Sequence, residues 1–259
     1  MPEPICYREV GSGPPLLLVH GDFSDGPGAW FRQMESLAAH HRLIVVDRRG
    51  HGTSPREPRP YTIASDAADV LAVADRAGAD DFHLAGHSYG GLVAIEVARR
   101  AAARVRSLHL VEPPYLALLP QHPAVTPLID RGREVQRLAA AWRSSQIAEA
   151  FFAMIAGDAG VARLREGRGW ATIVREAGRI VDGEFPADYP PEAIADLCLE
   201  APVRVYTGGQ THPGLQALAH RLAELIPGAK LVTLPTATHA VQHIGRPFDL
   251  ALLAVTQER

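Results

Sequence analysis

Lysine is almost missing from this chain. Of 26 basic residues only Lys230 is a lysine, and against 29 acidic residues the formal net charge is −3. Such a balance offers no basic patch of the kind that holds nucleic acid or an anionic membrane surface, and neither partner is expected. Cysteine is scarce too. Cys6 and Cys198 stand far apart, with no CxxC and no Cys/His cluster. No metal and no cofactor is therefore expected, and two buried reduced thiols are expected rather than a disulfide. No run approaches the ~18 consecutive apolar residues of a membrane span. The opening MPEPICYREV lacks a basic start followed by a long apolar stretch. These absences argue against a signal peptide and predict a cytoplasmic protein.

What is present suits a folded enzyme-sized domain. The hydrophobic fraction of 47% and charged fraction of 21% lie near globular averages. A chain of 259 residues accommodates one large domain, or one domain with an insertion.

The first half alternates between two hydrophobic periods. ICYREV reads as a strand, GSG as a hairpin turn and PLLLVHG as a buried strand. AWFRQMESLAAH, IASDAADVLAVADRAG and YGGLVAIEVARRAA have helical spacing, and between them RLIVVD, DFHLAG and VRSLHLV read as strands. This order predicts an α/β fold with a mostly parallel sheet and helices on both faces. Residues 115–200 break the rhythm. REVQRLAAAW, QIAEAFFAMIAG and WATIVREAGRIV are helical in pattern, and no convincing strand interrupts them. The rhythm then resumes with VRVYTGG, LQALAHRLAELI, KLVTL and a last helix from about Arg246 to Gln257. The predicted domains are a core of 1–114 and 201–259, and a helical insertion of 115–200.

The sharpest chemical signal is Gly86-His87-Ser88-Tyr89-Gly90-Gly91, between a predicted strand and a predicted helix. A turn of that kind strains the central residue and holds its hydroxyl out at the sheet's C-terminal edge. Three further segments accompany it: LLLVHGDFSDGPGAW, VVDRRGHGTS, and LPTATHAVQHIGRP with His239 just past the last strand. Together, in this order and spacing, the four resemble the α/β-hydrolase superfamily, in its serine-nucleophile branch with a helical cap.

The resemblance implies roles. Ser88 is expected to be the nucleophile and His239 its base, with His243 the nearest competitor. His20, His51 and His87 are expected to pack or hydrogen-bond. The oxyanion hole is expected to use the backbone N–H groups of Asp22 and Tyr89. An aspartate at position 22 is unusual, because a carboxylate beside a developing oxyanion repels it. Either its side chain turns away, or it meets a cationic or hydroxylated part of the substrate.

The histidine also needs an orienting acid. Family members commonly carry Asp in the loop after the sixth strand, but here TGGQTHP has Thr211 at that position and no acid at all. Other members place the acid one strand earlier. There Glu112 follows Ser107-Leu108-His109-Leu110-Val111, and the expected order is Ser88, Glu112, His239. A serine in the elbow favours acyl chemistry on an ester or lactone through an acyl-enzyme. The alternatives are carbon–carbon bond hydrolysis, and a non-hydrolytic member acting as a cofactor-free lyase, cyclase, oxygenase or ligand-binding protein. The expected partner is a small, largely apolar molecule. Tyr115, Trp142, Phe151, Phe152, Trp170 and Met154 are candidates for either a pocket wall or the cap's own core.

Overall fold

Strands that are apolar at every position must be covered on both faces, and this requirement organises the molecule. The computed structural model describes residues 3–56 and 61–257. In chain order its elements are β1 (Tyr7–Val10), β2 (Pro15–Val19), α1 (Gly26–Ser36), β3 (Arg42–Val46), α2 (Ile63–Arg76), β4 (Phe82–His87), α3 (Tyr89–Arg100), β5 (Val105–Val111), α4 (Thr126–Ala139), α5 (Ser144–Glu166), α6 (Trp170–Glu176), β6 (Val203–Gly208), α7 (Pro213–Leu225), β7 (Lys230–Leu234) and α8 (Arg246–Thr256). The sheet order is β1-β3-β2-β4-β5-β6-β7. All neighbouring pairs are parallel except β1 with β3. This is the α/β-hydrolase type of sheet.

Side chains on successive strand residues point to opposite faces. Leu17 and Val19 of β2 therefore join Ile44, Val46, Leu84 and Leu110 beneath α2, α3 and α7. Leu16 and Leu18 turn the other way, to Leu43, Val45, Trp30, Phe248 and Leu252 of the layer containing α1 and α8. These four β2 side chains are fully buried. Shortening one, as in Leu18→Ala, would cost about 2–5 kcal/mol.

Three expectations are corrected. GSG does not close a hairpin: β1 pairs with β3, and β2 lies on the far side of β3. A short glycine-containing link reads locally as a turn, but burial of β2 on both faces sets its neighbours. The cysteines form no disulfide, yet neither is buried; Cys6 is half-buried and Cys198 exposed. The helical stretches between β5 and β6 are longer or more broken than their periodicity implies. α4 begins at Thr126, α5 runs 23 residues through a break at Gly157 (φ 66°), and α6 gives way to a 3-10 turn over Ala177–Val181.

The chain between β5 and β6 contains no ladder strand among the described residues. Two satellite clusters tie it to the sheet layers. One joins Phe23 to Val135, Ile147 and Ala148; the other joins Leu215 and Leu218 of α7 to Leu116, Val125, Leu128 and Phe185. No described helix is long and apolar enough to cross a membrane.

Candidate active site

At the C-terminal end of β4 the chain turns directly into α3, and Ser88 takes φ 52° and ψ −126°. The flanking glycines make the turn possible. A Cβ on Gly86 would collide with the Gly90 carbonyl oxygen, and one on Gly90 with the backbone oxygens of His20 and Val19. Only three non-glycine described residues have positive φ: Phe23, Ser88 and Glu112. All three lie at this sheet edge, which fits strain concentrated at a functional site.

His239 follows β7 and bridges two partners. Its Nε2 lies 3.0 Å from Ser88 Oγ, and its Nδ1 lies 2.8 Å from Glu112 Oε2. With Nδ1 protonated, the ring donates to the carboxylate and accepts the serine proton. The histidine's own carbonyl accepts from His87 Nε2 at 3.1 Å. Burial holds the pKa of His87 well below the usual histidine value, so it serves here as a neutral donor. His243 is elsewhere engaged, donating from Nε2 to the Ala29 carbonyl at 3.1 Å.

Glu112 is fully buried. Its Oε1 accepts from Thr207 Oγ1 and the Gly208 N–H, each at 2.8 Å. Its Oε2 accepts from Thr211 Oγ1 at 2.8 Å and from His239. The end of β6 and the acid-free loop after it thus supply three donors to an acid from the neighbouring strand. Thr211 stands where Asp is usual and hydrogen-bonds to the carboxylate that lies against the histidine.

Asp22 and Tyr89 line the same pocket as Ser88. Tyr89 is the first residue of α3, so its N–H has no helical acceptor. The Asp22 N–H has no backbone acceptor among the described residues. The Asp22 side chain has a partner within the protein. Its Oδ1 forms an ion pair with Arg48 Nη2 at 2.5 Å, while its side chain remains one-quarter exposed beside the pocket.

His20 and His51 lie behind this pair. His20 Nε2 accepts from the Arg48 N–H at 3.0 Å, and its Nδ1 donates to the Gly21 carbonyl at 2.7 Å. Burial, reinforced by the Arg48 charge, holds both histidines well below their usual pKa.

A pocket opens above Ser88 and His239. Its wall is mainly apolar and comes largely from the chain between β5 and β6: Leu116, Leu128, Phe151, Met154, Ile155, Ile180, Phe185 and Pro186, with Leu215 from α7. Of the six side chains proposed from sequence for a wall or a core, Phe151 and Met154 reach the pocket. Tyr115 is buried, donating to the Pro190 carbonyl at 2.5 Å. Trp142, Phe152 and Trp170 pack in the satellite cluster around Phe23. Besides Ser88, Tyr89 and His239, the pocket's polar positions are Asp22, Gln136, Arg179 and Glu184.

Sequence reasoning missed the buried charges. Arg48 pairs with Asp66 at 2.9 Å as well as with Asp22, and Arg179 lies 3.5 Å from Asp66. Burial works against the Arg48 charge, but the two carboxylates raise its pKa. Burial raises Asp66 and lowers Arg179. One signal was available. Asp66 shares the inward stripe of α2 with Ile63, Ala67 and Val70, and an acid on an apolar face needs a buried partner.

Comparison with known proteins places the fold in a family. The sequence profile of the alpha/beta hydrolase fold family matches residues 14–245. The chain belongs to the α/β-hydrolase family. A relative from Aeromonas salmonicida, named a pimeloyl-[acyl-carrier protein] methyl ester esterase, is 35% identical over 92% of this chain and 89% of its own length. A protein from Azorhizobium caulinodans, named as a carbamate hydrolase, is 44% identical, but the match spans only 41% of this α/β-hydrolase and 40% of that relative. Among solved structures, an alpha/beta hydrolase from Sphaerobacter thermophilus has a TM-score of 0.76 at 28% identity, covering 97% of this chain and 95% of its own.

Proposed function

We propose that this α/β-hydrolase is a serine hydrolase of carboxylic esters or lactones. The observation that carries the reading is the bridge made by His239, 3.0 Å from Ser88 Oγ and 2.8 Å from a buried Glu112. Ser88 attacks the substrate carbonyl while His239 Nε2 takes its proton. Glu112 holds the imidazole in the Nδ1–H tautomer and stabilises the imidazolium that forms. The N–H groups of Asp22 and Tyr89 receive the oxyanion. His239 then protonates the leaving oxygen, and water activated by the same nitrogen releases the acyl group.

Residues 1–114 and 201–259 form the core in this reading, and 115–200 form a cap that walls the pocket. Phe151, Met154 and Phe185 suit a largely apolar acyl or alkoxy group. The ester specificity named for the Aeromonas relative, which aligns over most of both chains, supports the same class.

The test is turnover of p-nitrophenyl butyrate together with the intact mass of the protein after rapid quenching. The reading expects a butyryl adduct on Ser88, with both turnover and adduct lost in Ser88→Ala. Wild-type turnover no greater than that of Ser88→Ala contradicts it.

A further inference from the structure

We infer that Arg48 is a positioning residue of the oxyanion hole: its guanidinium neutralises the Asp22 carboxylate, which would otherwise repel the oxyanion that the Asp22 and Tyr89 N–H groups receive. The inference rests on the serine-hydrolase reading and concerns the charge around its reacting oxygen.

Covalent geometry keeps the Asp22 carboxylate within about 4 Å of the Asp22 N–H, so an oxyanion one hydrogen bond further lies within about 7 Å of that charge. In a partly dry site an unpaired carboxylate at this distance weakens oxyanion stabilisation by roughly fiftyfold. The structure supplies a counter-charge at the one place where it cancels this. Arg48 is 1% exposed, and its Nη2 reaches Asp22 Oδ1 at 2.5 Å. Asp66, also 1% exposed, holds the other side of the fork through Nη1 at 2.9 Å. The guanidinium carbon stands 4.6 Å from the centre of the Tyr89 ring. One cation therefore touches the side chains of both residues whose N–H groups form the hole. Its backbone is fixed as well, since the Arg48 N–H donates to His20, which precedes Gly21 and Asp22. Arg179, near Asp66, completes a group of two cations and two carboxylates. Loss of Arg48 leaves that group with a net negative charge whose exposed member faces the pocket.

Four proteins are compared on p-nitrophenyl butyrate: wild type, Arg48→Met, Arg48→Gln, and the double variant Arg48→Met/Asp22→Asn. Arg48→Gln keeps a hydrogen-bond donor toward both carboxylates, and it carries the comparison if Arg48→Met does not fold. The readouts are kcat, KM, and affinity for an alkyl trifluoromethyl ketone, whose serine adduct bears the oxyanion. In the Arg48 single variants kcat is expected to fall about fiftyfold, with KM within about threefold of wild type. Ketone affinity is expected to fall in parallel with kcat. Removing the carboxylate charge as well, in the double variant, is expected to restore kcat at least tenfold over Arg48→Met, or over Arg48→Gln if only that variant folds. A purely structural role for Arg48 gives no such rescue. The inference is overturned if the single variants keep wild-type kcat, or if the double variant recovers nothing. Ser88-dependent turnover by the wild type separates these failures from failure of the serine-hydrolase reading, in which wild type and Ser88→Ala behave alike.

Discussion

Glu112 carries an unusual load for one side chain. It takes a left-handed backbone conformation, with φ 45°, at the end of β5 and accepts four hydrogen bonds. Two threonines and one backbone N–H fix its rotamer, leaving one lobe of Oε2 for His239. Thr211 shares that oxygen with the histidine, so its hydroxyl determines where the acceptor points. Thr211→Val keeps the shape and removes the donor. We expect kcat for ester hydrolysis to fall about three- to tenfold, the worth of one ordinary hydrogen bond, with KM little changed. Steady-state kinetics on a p-nitrophenyl ester checks this. An unchanged kcat would mean that Thr207 and Gly208 suffice to orient the carboxylate.

The elements place these residues by close backbone approach. The first turn of α3 runs against the end of β2, and only a hydrogen at the Gly90 α-carbon fits beneath the His20 and Val19 carbonyls. Gly90→Ala is expected to lower stability by more than about 3 kcal/mol, because backbone rather than a flexible side chain must move. Urea unfolding measures it, and a loss below about 1 kcal/mol would show that the elbow can relax.

This part of the fold was legible in the sequence because its determinants are local. The glycines flank the serine, the acid follows its strand directly, and His239 follows β7. The three side chains that meet in space are the three singled out from those positions. Other features were illegible for the same physical reason. Asp22, Arg48, Asp66 and Arg179 pair across long sequence separations; the apolar stripe of α2 marks Asp66 as needing a buried partner, but no period or turn signal names that partner. The GSG link was misread because local turn chemistry carries no information about which strand fills the gap beside β2. The continuation of α5 beyond Gly157 was missed because a glycine at the end of an apolar helical period reads as a stop.

At the scale of the whole molecule, the distribution of buried histidines sets the response to acid. His20, His51 and His87 are held well below the usual value by burial, His83 is lowered to about 4, and His109 to about 3. His83, Ser107, His109 and Tyr206 form a hydrogen-bonded chain inside the sheet. For a base whose folded pKa is depressed, the unfolded chain binds more protons. The stabilisation is complete above the unfolded value of about 6.5 and is lost as pH falls toward the folded value. Each such histidine contributes up to about 1.4 kcal/mol per pH unit within that window. Asp66, Glu176 and Glu184, raised by burial, offset part of this. The melting temperature is therefore expected to fall steadily from pH 6.5 to pH 4, as calorimetry would record. A flat profile would mean that the histidines take up protons without loss of packing.

The central claim is that the carboxylate of this hydrolase has moved from the loop after β6 to the end of β5, and the most direct test is kcat of Glu112→Gln beside wild type and Ser88→Ala. All four groups around Glu112 act as donors toward it, so a glutamine must turn its NH2 toward at least one of them. Facing His239, that NH2 forces Nδ1 to accept and moves the ring proton to Nε2, where it can no longer take the proton of Ser88. The account predicts a loss of about a thousandfold or more with the fold intact by circular dichroism. Wild-type kcat in Glu112→Gln, with Ser88→Ala inactive, would contradict it.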